Sequence, residues 1–385
     1  MFKKFFIFLY YSIFFLFFFF AVDFFLSKYT NFFKVKKDCF NYIKLTDKKN
    51  SYYTYNLAKN CFAYEHKGAT PSYKVYTDSN GFRVSKNKQN TKSNSKIIFL
   101  GDSFTYGFGV DFENSVPGLI SKKINYSNEV INFGVPGYSP SMNLINLQNY
   151  LSENPKIKIL KVFYILDITD VHDEANRWKD INEINLPVIE DKSVEKEIKK
   201  TFDLKKKFRT TRYVSYIINN NLRNLRKQIK ILFKNNENNE NNIEFEGTFW
   251  GSFTHTPQEK LLKNTVYKNH WKRGYQFGLK KITKKITDIS NLLKGYDTEF
   301  YIVIHPWIET IELGQKELDW EKFANDLCVS SKCKKVINFF DTVAEFKKEE
   351  VNWKTDLYFK KDLHFNKVGN NLYANKIYYE AFEND

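Results

Sequence analysis

The chain has 385 residues, of which 42% are apolar and 18% aromatic, and its 60 Lys and Arg exceed its 44 Asp and Glu to give a formal charge of +16. This length allows one large core with a small accessory part, and the composition excludes fibrous, collagen-like and disulfide-dense proteins. The positive charge raises the question of a nucleic-acid partner. Because the lysines are scattered and no RNA-binding or zinc-finger pattern is present, we expect no nucleic-acid partner.

The first predicted element is a transmembrane helix at the N-terminus. Residues 5–22 form an 18-residue stretch whose one clearly polar side chain is Ser12. At about 1.5 Å per residue, such a helix crosses a hydrocarbon core of about 30 Å. Lys3 and Lys4 precede the stretch, and Ala21-Val22-Asp23 is a poor cleavage site, so an uncleaved signal anchor at 1–27 is favoured over a cleaved signal peptide.

Two sequence features disagree about the side of the membrane on which the remaining chain lies. Lysines between 28 and 37 would keep it in the cytoplasm under the positive-inside rule. The cysteines favour export, because Cys328 with Cys333 and Cys39 with Cys61 could form disulfides in an oxidising compartment. Four free thiols are the alternative, and the spacing disfavours a zinc site. We expect a single-pass membrane protein whose catalytic domain lies on the periplasmic or extracellular face.

After a membrane-proximal lead-in with short strands at 28–95, longer strands alternate with helices. Short apolar runs that end at Gly, Asp or His are typical of buried parallel strands. Their alternation with helical stretches predicts an α/β domain with a mostly parallel sheet at 96–385, interrupted by a charged insertion at about 180–265. Within the insertion, the Asn- and Glu-rich run at 234–242 predicts a mobile loop. The predicted strands are 96–100, 129–133, 160–166, 299–304 and 335–340, and the predicted helices are 116–124, 141–151, 267–293 and 367–382.

Two short motifs, far apart in the chain, carry the predicted chemistry. Gly101-Asp102-Ser103 follows the first predicted strand and places the Ser103 hydroxyl at a helix start, on the carboxyl edge of the sheet where ligands of such folds collect. A serine that only caps the helix is the alternative. Asp362-Leu-His364 precedes the last helix and can supply both the base that a serine nucleophile needs and the carboxylate that orients this base.

These motifs resemble the conserved blocks of the SGNH, or GDSL-type, serine hydrolases, over residues 96–170 and 299–382. The resemblance implies a flavodoxin-like three-layer α/β/α fold and a reaction without a cofactor. It also implies that Ser103 is the nucleophile, His364 the general base and Asp362 the residue that orients this base.

The resemblance also implies an oxyanion hole, with one departure. Gly134 matches the glycine of the second block, so its N–H and that of Ser103 are expected to bind the oxyanion. In the third block Thr169 stands where the family has Asn, and a Thr hydroxyl is a shorter donor. Three alternatives are open: Thr169 donates to the oxyanion, another group substitutes for it, or the activity is weakened. Asp167 and Asp170, beside it, are expected to order the loop.

The end of the predicted strand 299–304 offers a possible substrate contact. Trp307 could line the substrate cleft, where its flat ring would suit a sugar, or it could be a core aromatic. No cluster of His and acidic residues occurs at metal-ligand spacing, so no metal site is expected.

Three functions are consistent with these features. The first is a membrane-anchored serine esterase acting on an acyl ester, with acetyl as the first candidate, of a carbohydrate or another small molecule. The second is an O-acyltransferase that modifies a cell-surface polysaccharide through the same acyl-serine. The third is a non-catalytic carbohydrate-binding or assembly protein that retains the fold. The sequence does not define an oligomeric state.

Overall fold

The computed structural model describes residues 2–29, 38–46, 51–65, 70–87, 90–181, 188–190, 248, 250–263, 271, 273–350, 352–360 and 362–383. The loop predicted at 234–242 lies outside the described residues, as does most of the insertion predicted at about 180–265. The chain divides into two compact units, one of residues 1–36 and 190–240 and the other of residues 37–189 and 241–385.

The described part of the first unit contains helix α1 (Phe2–Tyr29), which has 28 residues. Several of its aromatic side chains are exposed, and those of Phe15 and Phe17 reach 73%. Across the part of the chain whose side chains are described, no helix has both the length and the apolar content needed to cross a membrane. The predicted transmembrane helix at 1–27 is therefore not confirmed.

The second unit contains two sheets. The strands are β1 (Phe40–Thr46), β2 (Ser51–Leu57), β3 (Phe62–Glu65), β4 (Tyr73–Thr77), β5 (Arg83–Val84), β6 (Lys96–Leu100), β7 (Glu129–Asn132), β8 (Ile159–Leu166), β9 (Val188–Glu190), β10 (Glu299–Ile304) and β11 (Lys335–Asn338). The small sheet has the order β2-β1-β9, and the large one has the order β11-β10-β8-β6-β7-β5-β4-β3. In the large sheet, β11 to β7 are parallel neighbours, whereas β5, β4 and β3 continue it as antiparallel strands.

Helices connect and cover the large sheet. They are α2 (Ser103–Tyr106), α3 (Val116–Lys123), α4 (Pro140–Glu153), α5 (Ile168–His172), α6 (Gln258–Lys263), α7 (Gly274–Leu293), α8 (Ile308–Leu313), α9 (Trp320–Ser331), α10 (Phe340–Glu349), α11 (Trp353–Leu357) and α12 (Lys367–Tyr378). The central strands β6, β8 and β10 are almost continuously buried. Strands buried in this way have both faces covered. The mixed α/β architecture with a mostly parallel sheet is confirmed.

The strand order also locates a crevice at the end of β6. β6 lies between β7 and β8, so the connection after β7 crosses to the other side of β6. Such a change of direction opens a crevice outside the carboxyl end of the strand, where ligands of open α/β sheets bind. Ser103 follows this end of β6.

Residues 37–95 of the region predicted as a lead-in belong to this second unit. β3, β4 and β5 extend the large sheet, so the sheet does not begin at residue 96. The predicted cysteine pairs are both disulfides, Cys39 with Cys61 and Cys328 with Cys333. The first joins the residue before β1 to the residue before β3 and so connects the two sheets.

Candidate active site

The turn after β6 presents Ser103 at the carboxyl edge of the sheet. Gly101 has φ +147°, and a Cβ there would lie 2.2 Å from Thr105 Oγ1 and 3.0 Å from Ile165 O. A glycine is therefore required where the chain leaves the strand. Asp102 then caps the short helix α2, because its carboxylate accepts a hydrogen bond from Phe104 N at 2.9 Å.

The structure brings the two predicted motifs together, although 261 positions separate Ser103 from His364. His364 Nε2 lies 2.8 Å from Ser103 Oγ, and His364 Nδ1 lies 2.5 Å from Asp362 Oδ1. The same carboxylate oxygen accepts the backbone N–H of His364 at 3.0 Å. The three side chains form one line of hydrogen bonds from carboxylate to imidazole to hydroxyl, the geometry that a serine nucleophile and its base require.

The carboxylate of this line stays ionised. Burial alone would raise the pKa of Asp362, but the hydrogen bonds from the His364 ring and backbone, together with the ring's positive charge, outweigh burial and leave the pKa below its ordinary value. Asp362 can therefore accept the Nδ1 proton of His364 and leave Nε2 to face Ser103.

Backbone contacts fix the loop that carries Asp362 and His364. Phe359 N donates to His364 O at 3.0 Å, and Tyr358 forms an isolated antiparallel bridge with Phe365. Asn366 caps α12, because its Oδ1 accepts hydrogen bonds from the first turn of that helix, including Val368 N at 2.8 Å. His364 is thus held directly before a β-bridge residue and a capped helix.

The imidazole of His364 lies between two phenylalanine rings that the sequence analysis did not identify. The ring centroids of Phe104 and Phe108 are each 4.6 Å from that of His364, at angles of 30° and 27°. Both phenylalanines lie on the turn that follows the nucleophile. No sequence signal distinguishes them from the other 36 of the 38 phenylalanines.

Two of the predicted oxyanion donors already have protein acceptors. Gly134 N donates to Asn132 Oδ1 at 2.8 Å. Thr169 N donates to Asp167 Oδ1 at 2.5 Å, and the Thr169 hydroxyl donates to the same oxygen. Gly134 has a steric role, since a Cβ there would lie 2.2 Å from Tyr106 N. In the same loop, the N–H of Gly137 has no protein acceptor among the described residues.

Trp307 does not line an open cleft. Its side chain is 2% exposed, and its indole Nε1 donates to Asp167 Oδ2 at 3.1 Å. The expectation that Trp307 contacts a sugar is wrong, because the indole packs under the strand ends and serves as a donor to a buried carboxylate. The alternative of a core aromatic is the observed one.

Three buried carboxyl groups lie near Ser103. Asp167 caps α5, and Asp170 accepts a hydrogen bond from Asp167 N at 3.2 Å, so both order this loop as expected. Burial raises the pKa of Asp167 to about 6. Burial and then the charge of Asp167 raise the pKa values of Asp102 and Asp170 well above the ordinary range.

A small cavity of about 10 Å³ adjoins the triad. This volume corresponds to about one water molecule. One wall contains His305, which is fully buried, and its pKa is well below the usual value because of burial and then the positive charge of His364. The cavity is lined by Ser103, Phe104, Gly107, Phe108, His305, His364, Phe365, Asn370 and Tyr373.

Within the described ranges, no group of three or more His, Cys, Asp or Glu side chains could hold a metal ion.

No protein-family model and no curated protein matches the chain. Solved structures of GDSL- and SGNH-type hydrolases are similar to it. A lipolytic protein of the G-D-S-L family from Desulfitobacterium hafniense DCB-2 is 12% identical over 74% of this chain and 97% of its own, with a TM-score of 0.36. The SGNH-hydrolase family esterase AlinE4 is 13% identical over 68% of this chain and 85% of its own, with a TM-score of 0.33. A variant of Axe2, an acetyl xylan esterase from Geobacillus stearothermophilus, is 11% identical over 75% of this chain and 95% of its own, with a TM-score of 0.38.

Proposed function

We propose that the chain is an SGNH-type serine esterase that cleaves a short acyl ester, with acetyl as the first candidate, through an acyl-serine intermediate. The observation that carries the proposal is the continuous line of hydrogen bonds from Asp362 through His364 to Ser103. A serine that only begins a helix would not require a half-buried histidine and carboxylate in this order.

The geometry supports a two-step reaction. Ser103 Oγ attacks the ester carbonyl carbon while its proton passes to His364 Nε2, and Asp362 stabilises the resulting imidazolium. His364 then returns the proton to the departing alkoxide, so that an alcohol leaves and an acyl-serine remains. Water attacks this acyl group and loses a proton to His364. The bond to Ser103 Oγ breaks, His364 returns that proton to Ser103 Oγ, and the carboxylic acid is released with Ser103 free again.

The oxyanion that forms in each step needs nearby donors. We assign this role to the backbone N–H groups of Ser103 and Gly137. Ser103 N adjoins the reacting hydroxyl, and Gly137 N has no acceptor among the described residues, unlike Gly134 N and the Thr169 hydroxyl.

The surroundings of Ser103 support a short acyl group. The adjoining cavity has about 10 Å³ and is bounded by the rings of Phe104, Phe108 and Phe365. An acetyl methyl can lie against these rings, whereas a long acyl chain would have to displace them. The family resemblance points to a carbohydrate as the alcohol part of the ester. Acylated sugars are therefore the first substrates to test.

The decisive experiment is covalent labelling of the protein by a fluorophosphonate probe. The wild-type protein should be labelled and should release acetate from acetylated oligosaccharides, while Ser103→Ala should do neither. Labelling that persists in Ser103→Ala would remove Ser103 from its role. The absence of labelling and acetate release in the folded wild-type protein would favour the non-catalytic function.

A second assay, which follows the products of an activated ester, separates hydrolysis from transfer. An activated acetyl ester is offered with and without a non-acetylated oligosaccharide. Free acetate alone supports the esterase, whereas acetylated sugar together with faster consumption of the ester would replace it by the O-acyltransferase.

We further propose that the protein is exported and attached to the membrane by its N-terminal segment. The apolar run at 5–22 and the two disulfides support this location, because disulfides persist in oxidising compartments. A C-terminal alkaline phosphatase fusion should be active. An inactive fusion, together with an active cytoplasmic reporter at the same position, would reject export.

A further inference from the structure

Arg83 is a buried arginine that the proposed reaction does not use. It lies in β5 and its side chain is 0% exposed. Burial of an ionised group is unfavourable unless its donors are satisfied. The acceptors of the Arg83 hydrogen bonds therefore indicate what the buried charge does.

Most of the Arg83 hydrogen bonds go to one turn. Nη1 donates to Tyr106 O at 2.5 Å and Gly107 O at 2.7 Å, and Nη2 donates to Val110 O at 2.5 Å. A fourth bond, from Nη2 to Lys74 O at 3.2 Å, joins the guanidinium to β4. We call residues 106–110, which contain three of these four acceptors, the post-nucleophile turn.

Aromatic rings hold the guanidinium in place. Its carbon lies 4.7 Å from the ring centroid of Tyr106 and 5.3 Å from that of Tyr73. The Tyr73 hydroxyl donates in turn to Glu65 Oε2 at 2.8 Å, and Glu65 is buried. A planar guanidinium can lie between rings and donate from both ends, which a lysine ammonium cannot do.

The post-nucleophile turn contacts two members of the catalytic line. Gly107 N and Phe108 N both donate to Ser103 O at 3.1 Å. The ring of Phe108 lies 4.6 Å from that of His364. A shift of the turn would therefore move the backbone of the nucleophile and the ring that packs on the base.

We propose that Arg83 is a positioning residue for ester cleavage: by binding three carbonyl groups of the post-nucleophile turn, it fixes Ser103 and Phe108 relative to His364. This inference rests on the proposed function. Arg83 touches no reacting atom, so it acts on the rate of the chemical step and not on the binding of substrate.

The test compares Arg83→Lys and Arg83→Met with the wild-type protein at a temperature where all are folded. A misplacement of about 1 Å can reduce the rate about 100-fold. We expect kcat to fall about 100-fold in Arg83→Met and about tenfold in Arg83→Lys, with KM within about threefold of wild type. The second-order rate of fluorophosphonate labelling should fall in parallel.

Lys161→Met is the matched control. Lys161 is also a buried cation of the large sheet, and it pairs with Glu299, but it lies in the first half of β8, away from the carboxyl edge. The Lys161→Met substitution should lower the melting temperature without changing kcat. A kcat in the Arg83 variants within twofold of that in Lys161→Met would overturn the proposal.

A crystal structure of an Arg83 variant tests the positioning without activity. In the structure of Arg83→Met, the Phe108 ring should lie farther from His364 than in the wild-type protein. If Arg83→Met does not fold, the structure of Arg83→Lys should show the same displacement. An unchanged post-nucleophile turn would reject the inference. A wild-type protein that resists labelling would instead reject the proposed function, so the two failures are distinguishable.

Discussion

The contact between Asp362 and His364 determines which ring nitrogen of the histidine faces the nucleophile. Asp362 Oδ1 lies 2.5 Å from Nδ1, so it accepts a proton there and Nε2 presents its lone pair to Ser103. An amide at position 362 could donate to Nδ1 and thereby place the ring proton on Nε2. The base would then have no lone pair for the serine proton.

For this reason, Asp362→Asn should lower kcat by about 10⁴-fold, the loss typical when an amide replaces the orienting carboxylate of a serine triad. Steady-state hydrolysis of an acetyl ester measures the effect. Asp341→Asn, which changes an exposed carboxylate on α10, is the control and should keep full activity. A loss of less than tenfold in Asp362→Asn would contradict the assigned role.

Thr169 gives a second prediction at this scale. Because its hydroxyl proton is bound by Asp167, Thr169→Val should lower kcat by less than about tenfold. Removal of a true oxyanion donor costs about 10²–10³-fold. A loss in that range, restored by Thr169→Ser, would show that the hydroxyl leaves Asp167 and serves the oxyanion.

The triad side chains could be predicted, whereas several of their neighbours could not. Gly-Asp-Ser and Asp-x-His are local motifs, so Ser103 and His364 are visible in the sequence. Arg83 and Phe108 act through contacts between distant segments, which no local pattern encodes. Trp307 follows a strand, but its position in the sequence does not specify whether its ring faces a cleft or the core.

At the scale of elements, three of the five predicted strands, β6, β8 and β10, are buried on both faces. β6 and β10 are continuous apolar runs, and such runs identify a central parallel strand directly. β4 alternates between buried and less buried side chains, and β5 has two residues. A short edge strand does not show in its sequence which sheet it joins, so the sequence predicts short strands in a lead-in where the structure has an extension of the large sheet.

The two disulfides should contribute unequally to stability. The loop closed by Cys39 and Cys61 spans 22 positions, whereas that closed by Cys328 and Cys333 spans 5. From loop entropy, removal of the first should lower the free energy of unfolding by about 3 kcal/mol and removal of the second by about 2 kcal/mol.

Paired Cys→Ser variants in urea titrations measure both contributions. Under reducing conditions the wild-type protein should approach the variants, since the crosslinks are then lost in all of them. A larger loss from the Cys328–Cys333 pair than from the Cys39–Cys61 pair would contradict the loop-length argument.

At the scale of the whole molecule, buried groups next to the site make stability depend on pH in two opposite ways. The pKa of Asp167 is raised by burial, so the folded state binds more protons than the unfolded state and this carboxyl destabilises the fold as pH rises. The pKa of His305 is lowered by burial, so the unfolded state binds more protons and this imidazole destabilises the fold as pH falls.

Two variants separate these effects. Relative to wild type, the free energy of unfolding of Asp167→Asn should increase from pH 5 to pH 8, because the variant lacks the destabilising carboxyl. That of His305→Gln should increase in the reverse direction, from pH 8 to pH 5, because the variant lacks the destabilising imidazole. Urea titrations at three pH values measure both slopes, and parallel slopes for the two variants would contradict the assignment of these groups as the source.

The position of the His364 ring between Phe104 and Phe108 has a consequence for spectroscopy. Circulating electrons in an aromatic ring shield protons held over its face, and here two faces act on the same imidazole from 4.6 Å. The carbon-bound protons of His364 should therefore resonate upfield of those of a solvent-exposed histidine. Proton NMR could then follow the protonation of the base in the unlabelled protein, through substrate addition and acyl-serine turnover.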